Sequence, residues 1–334
     1  MSLLDVLALA EHLVAVDSTS GREAPALERM EAVLRERGWR LVRIPVSDGR
    51  WNILATSGEQ PRVTLSTHLD TVPPFIPPRR ADGRLYGRGS CDAKGIAAAM
   101  CAAAERLRTG GVSVALLFVV GEETAHDGAM AADRHQTSSQ ILINGEPTES
   151  TLAVGTKGAM RAVVRVEGQA AHSAYPALGR SATAALVKLL AGLDGLDLPR
   201  DPVLGDTTVN IGFLSGGVAD NVLAPSAEAR LMARLVGPAA DVEAQLAAWV
   251  AGHGTIVFGT TVPAVHLTTV PGFTTSVVSF ATDIPKLTNW GKPYLYGPGS
   301  IHVAHTDGEY IDEAELLRAV DGYELLAHEA LARL

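Results

Sequence analysis

Several apolar runs in this chain stop at side chains that bind metals or move protons. RVTLST leads directly into His68-Leu69-Asp70, and VSVALLFVV leads into Gly121-Glu122-Glu123. QILI leads to Asn144-Gly145-Glu146, and PYLY leads through Gly297-Pro298-Gly299-Ser300 to His302 and His305. Asp92 stands just before an alanine-rich stretch. Imidazole and carboxylate ligands suit zinc, with cobalt or manganese as alternatives. Several carboxylates in one crevice repel each other unless cations neutralise them. Two divalent ions a few ångström apart, bridged by one carboxylate, would polarise an amide carbonyl and supply hydroxide at neutral pH. The His-x-Asp spacing also sets a carboxylate where it can fix the imidazole tautomer.

For these residues to meet, the apolar runs must be strands of one sheet, since ligands of open α/β sheets bind at the carboxyl ends of the strands. The patterning predicts helices over residues 3–16, 24–37 and 93–108 and strands over 40–44, 52–56, 63–67, 112–120 and 140–143. The continuous apolar strands predict a sheet buried on both faces, as in a three-layer α/β domain. The pattern changes near Gly155. Alternating strands at 159–166, 207–214, 227–236 and 255–266, with helices at 181–193 and 240–250, give a β-α-β-β-α-β order. A strand near 294–296 and a helix over 312–333 resume the first pattern. The expectation is a catalytic metal-binding domain (1–156 and 267–334) with a second domain, 157–266, inserted into it.

Composition excludes other classes. The 334 residues are 47% hydrophobic and 19% charged, with net charge −9 and no basic block, which speaks against nucleic acid and acidic membranes as partners. The N-terminus reads as an amphipathic helix broken by Asp5 and Glu11 rather than as a signal peptide, and no apolar stretch approaches a membrane span. Cys91 and Cys101 form no Cys-x-x-Cys motif, so a reducing, cytoplasmic location is expected. Gly87-x-Gly89 lacks the third glycine of a dinucleotide loop, and neither Gly-x-Ser-x-Gly nor His-Glu-x-x-His occurs.

Taken together, STHLDTVP, YGRGSCDAKG, VVGEETAHDGA, INGEPT, GQAAHSAYP and YGPGSIHVAHTDGEYI resemble, in order, the co-catalytic zinc aminoacylase/carboxypeptidase family. That family includes acetylornithine deacetylase, succinyl-diaminopimelate desuccinylase and glutamate carboxypeptidases. The resemblance implies a three-layer α/β/α catalytic domain with an inserted α+β, ferredoxin-like lid and dimerisation domain. It implies His68, Asp92, Glu123, Glu146 and His305 as ligands of two divalent ions, Asp92 bridging. It implies Asp70 as the residue that orients His68, Glu122 as general base, and His172 as the lid histidine that stabilises the oxyanion, often across a dimer. His302 falls outside the matching position. Gly121 stands where many relatives have Asp, and Gly95 is single where many have two glycines; neither change removes a ligand.

Each residue also has a plainer reading. Alone, His68 is a surface or core histidine, Glu122-Glu123 a solvated pair, Glu146 a turn residue before Pro147, and His172 an exposed turn histidine. Arg230, Arg234 and Glu228 share one face of a strand, which reads either as a solvated salt-bridged face or as a grip by Arg234 on a substrate carboxylate. Asn221 lines the same pocket or serves a turn. Cys91 reads as a buried structural thiol, and His126, His135, His253, His266 and His328 have no motif support. The expected function is removal of an N-acyl group, acetyl first among them, from ornithine, lysine or a related amino acid, because the segment from Ser279 to Ile311 looks most like that branch. A dipeptidase or carboxypeptidase is the alternative within the family. An inactive binding protein on the same fold is the alternative outside it.

Overall fold

A computed structural model of the chain describes residues 4–334. It divides into two compact units: residues up to Val154 with Leu267–Ser276 and Thr282–Leu334, and Gly155–His266 with Val277–Ala281.

The first unit is built on a six-stranded sheet in the order Arg40–Ser47, Arg50–Thr56, Val114–Val119, Val63–His68, Ile141–Asn144, Lys292–Leu295. The last four strands are mutually parallel, and the first two are antiparallel additions. Alternation within one strand explains the continuous apolar run. Val114, Leu116 and Phe118 pack against the layer of helices Val6–Val14, Ala24–Glu36, Lys94–Thr109 and Glu313–Leu331. Ala115, Leu117 and Val119 pack on the opposite side with helix Asp127–Asp133 and Trp290. Every residue of Val114–Val119 is buried, so both faces must be apolar. These are the three expected layers.

The helix expected at 3–16 is found at Val6–Val14, capped by the Asp5 carboxylate on the Ala8 amide at 3.0 Å; Leu3 lies outside the described residues. No helix among the described residues is long and apolar enough to cross a membrane.

The second unit carries a four-stranded antiparallel sheet in the order Thr208–Gly216, Ser226–Leu235, Gly158–Glu167, Thr255–Val262. Helices Ala182–Leu190 and Ala239–Val250 cover one face through Leu186, Leu189, Val242 and Leu246. This is the ferredoxin-like arrangement. The strand expected over 255–266 ends at Val262, and a separate short strand follows at Val265–His266. Pro263 between them has no N–H to give to a ladder.

Candidate metal centre

The four parallel strands place their carboxyl ends side by side, and each end delivers one part of the cluster. His68 closes its strand and is fully enclosed. Its Nδ1 lies 3.0 Å from the Asp70 carbonyl oxygen and 3.6 Å from the Asp70 carboxylate. An Nδ1–H donated to that carbonyl leaves the Nε2 lone pair facing Asp92 Oδ1 at 3.0 Å, with Glu146 Oε2 at 3.9 Å. The Asp70 carboxylate turns elsewhere. It accepts the Ser20 hydroxyl at 2.7 Å and the Glu122 and Glu123 amides, both at 3.2 Å. Asp70 thus meets the imidazole at hydrogen-bond distance through its backbone, and the Glu122-Glu123 turn through its side chain. Burial pushes its carboxyl up, but His68, Ser20 and Glu123 together hold it below the usual range.

Asp92 sits at the centre. Oδ1 faces His68, and Oδ2 lies 3.3 Å from His305 Nε2, which is also 3.0 Å from Glu123 Oε1. His68, Asp92 and Glu123 bring one ligand atom each to within 4.8 Å of one another. Glu146 is buried, and its Oε1 has no hydrogen-bond partner among the described residues. Burial outweighs the histidines and pushes Glu146 and Glu122 well above the ordinary carboxylate range; Glu123 is raised as well. Asp92 is the exception, held low by His305 and His68 against the effect of burial. His305, hydrogen-bonded to Asp92 and Glu123, is pushed up to about 10. An orphaned buried carboxylate oxygen and acids that resist ionising in each other's company fit a site for divalent cations. His302 is exposed, and no contact ties it to this cluster among the described residues.

Three further residues join the site that their sequence context did not mark. His126 Nδ1 lies 2.8 Å from Asp283 Oδ1 and 3.8 Å from Glu122 Oε1, so a histidine one turn beyond the Glu-Glu pair adjoins Glu122. The i,i+4 spacing from Glu122 was the available signal for His126; Asp283 had none. Glu309 is fully enclosed and accepts the Asp92 amide at 3.1 Å. Its signal was its place in the His305-Thr306-Asp307-Gly308-Glu309 run. Cys91 Sγ faces the Ser300 carbonyl at 3.5 Å, and burial pushes this thiol far up, as befits a structural residue.

The remaining predicted residues lie in the second unit. His172 is exposed; its Nδ1 accepts the Ala174 amide at 3.2 Å, and it bridges to Val222 beside Asn221. The Asn221 carbonyl accepts the Ser173 amide at 2.9 Å. Arg234 lies near the other end of Ser226–Leu235, opposite Thr208 and Ala159. At roughly 3.3 Å per residue the strand separates Ser226 from Arg234 by roughly 26 Å. The single pocket expected for Arg234 and Asn221 is thus not formed within one copy of this unit. Arg230 and Glu228 pair at 2.9 Å, and Glu228 also binds Arg165. Arg234, on the same face, is partly buried and has no ion-pair partner among the described residues.

Comparisons with known proteins agree with this architecture. The family described as peptidase family M20/M25/M40 matches residues 64–329. A protein named "probable carboxypeptidase" from Aspergillus fumigatus is 37% identical, over 98% of this chain and 87% of its own length. A peptidase M20 domain-containing protein of Schizosaccharomyces pombe is 36% identical, over 96% and 83%. Among solved structures, aminopeptidase PepT of Bacillus cereus shares the fold with a TM-score of 0.79 at 20% identity, covering 99% of this chain and 100% of its own. The YXEP protein of Bacillus subtilis, described as a dinuclear metal binding peptidase, shares it with a TM-score of 0.72 at 15% identity, covering 98% of each chain. The chain belongs to peptidase family M20/M25/M40 and is a metallopeptidase-type hydrolase of peptide or amide bonds.

Proposed function

We propose that the chain hydrolyses an amide bond whose leaving amine belongs to an amino acid with a free α-carboxylate. The observation that carries the hydrolytic, two-ion part of this reading is Asp92, whose two oxygens each face a different imidazole. His68 and Glu146 would hold one divalent ion and Glu123 and His305 the other, with Asp92 shared. Zinc is the preferred ion, with cobalt or manganese as alternatives. Bound there, the ions would polarise the scissile carbonyl and lower the pKa of water.

The rest falls to the chain's own residues. Glu122 takes a proton from the attacking water and returns it to the leaving nitrogen. Asp70 holds the turn that carries Glu122, by the amide contact described above. His172 stabilises the oxyanion. Arg234 meets the substrate carboxylate with two parallel hydrogen bonds, a role supported by its lack of an internal partner. Asn221 and His172 share one end of the lid sheet and Arg234 occupies the other. A small substrate does not span roughly 26 Å. A homodimer through the lid, with His172 and Asn221 lent to the partner, accommodates both sets. Two free, buried cysteines suit a cytoplasmic enzyme.

The carboxypeptidase names of the fungal relatives favour a dipeptide or short peptide cut at its C-terminal residue. The resemblance of the Ser279–Ile311 segment favours a second substrate class, N-acetylated ornithine, lysine and their relatives. A panel of both, assayed with zinc or cobalt, separates them by kcat/KM. Turnover of neither class sinks the proposal. For whichever class is cleaved, Arg234→Met should raise KM about 10–100-fold with little change in kcat, and an unchanged KM removes Arg234 from the substrate site.

A further inference from the structure

The turn that presents Asp92 has no regular structure to hold it, yet its amides from Gly89 to Asp92 are all hydrogen-bonded, that of Ser90 to the Gly87 carbonyl. Glu309 Oε1 accepts three amides of that turn: Gly89 at 2.9 Å, Cys91 at 3.1 Å and Asp92 at 3.1 Å. Neighbouring amides of one turn converging on one oxygen form an anion-binding nest, filled here by the chain's own carboxylate. Gly89 takes φ 87°, a conformation that suits glycine and lets the amides converge. Glu309 Oε2 accepts Arg88 Nη1 at 2.6 Å, and both side chains are almost entirely enclosed. The same Nη1 donates to the Thr306 carbonyl at 3.2 Å, and the Glu309 amide donates to that carbonyl at 3.3 Å. Thr306 follows His305, which holds φ 63°. One buried ion pair thus fastens the turn before Asp92 to the turn after His305. Those two residues come from distant parts of the sequence, and their side chains stand 3.3 Å apart.

We infer that Glu309, with Arg88, is a positioning residue for the metal site: it sets the distance between Asp92 and His305 and thereby the affinity for the ion they share. This rests on the two-ion reading above. Glu309 touches no reacting atom in that reading and acts only through the two ligands.

The test is Glu309→Gln, which keeps the side chain's shape. A glutamine has one acceptor oxygen and one NH2. With the oxygen in the nest, the NH2 meets Arg88; flipped, it meets three N–H groups. Either way one set of donors faces another donor. Zinc affinity, measured by competition with a chromophoric chelator, should fall about 10–100-fold relative to the unaltered chain, in the range for losing a partner that orients a ligand. The melting temperature of the metal-free proteins is measured beside it. Glu313→Gln, at an exposed ion pair with Arg80, is the control and should leave affinity unchanged. An affinity equal to that of the unaltered chain overturns the inference, whatever happens to melting. If Glu309→Gln does not fold, Arg88→Lys carries the test. It keeps a positive charge but loses the fork that reaches Thr306 and Glu309 together, so the same loss is expected, and unchanged affinity is the refuting result. If the unaltered chain takes up no ions, the metal reading itself falls. If it takes up two and Glu309→Gln binds them equally well, only the role of Glu309 falls.

Discussion

Asp70→Asn is an informative single change because its consequences can be counted. Asp70 is completely buried, and its carboxylate accepts from Ser20, Glu122 and Glu123. Asparagine has the same shape but only one acceptor oxygen. If that oxygen stays with Ser20 and Glu123, the new NH2 points at the Glu122 N–H. A hydrogen bond to a charged group is worth about 1.5–3 kcal/mol, and a buried unsatisfied donor costs about 1–3 kcal/mol. The two overlap, and relief of burying a charge returns part, so the net loss should be about 2–3 kcal/mol. The His68 imidazole keeps its backbone partner, the Asp70 carbonyl. The functional damage should therefore fall on the Glu122-Glu123 turn. Two assays separate these effects. Denaturant unfolding of metal-free protein should show the stability loss as a lower midpoint at unchanged slope. Metal titration should show the ion expected on the Glu123 side weakened more than the one on the His68 side. Unchanged stability would refute the accounting of hydrogen bonds. Equal weakening of both ions would refute the division of labour between the backbone and side chain of Asp70.

Glu122→Gln should lower kcat/KM about 10²–10⁴-fold while metal content stays the same, as measured by elemental analysis beside kinetics; loss of metal instead would make Glu122 a ligand. Metal-free protein should lose stability as pH rises from about 6.5 toward 8, and metal-loaded protein should not. His305 has a folded pKa raised to about 10 from 6.5, so its contribution is complete below 6.5 and fades as pH climbs toward 10. The raised carboxyls of Glu122 and Glu146 act with the same sign. The window stops near 8 because Lys94, lowered to about 8 by burial, then titrates in the opposite sense. Thermal melts across this range, with and without zinc, provide the check, and a rise in metal-free stability would contradict it. Catalysis should fail on acidification, because the base must be ionised and the ligands free of protons; a flat pH–rate profile down to strongly acidic values would count against Glu122 as base.

Much of the site was legible because fold and chemistry use the same punctuation. Val63–His68 and Val114–Val119 are buried on both faces, so their apolar runs are unbroken and the first polar residues mark the strand ends. That is why His68 and Glu122-Glu123 could be placed without coordinates. His126, Asp283 and Glu309 could not be placed in the same way. Asp283 meets His126 across 157 residues and Glu309 meets Asp92 across 217, and no local pattern encodes such a pairing. The sheet of Arg79–Ala81, Arg84–Tyr86 and Tyr310–Asp312 escaped notice because three-residue strands show no period. The separation of Arg234 from Asn221 within one copy was not legible either: residue type suggests that both suit a carboxylate, but that Arg234 stands near the far end of Ser226–Leu235 from the Asn221 turn is a fact of strand length and pairing.

The central claim is a pair of ions sharing Asp92. Its most direct test is the number of zinc ions held per chain after loading and exhaustive dialysis, for the unaltered protein and for His305→Ala. The account predicts two for the unaltered chain and one for His305→Ala, with the His68 side still filled. No bound zinc, or a stoichiometry that His305→Ala leaves unchanged, would contradict it.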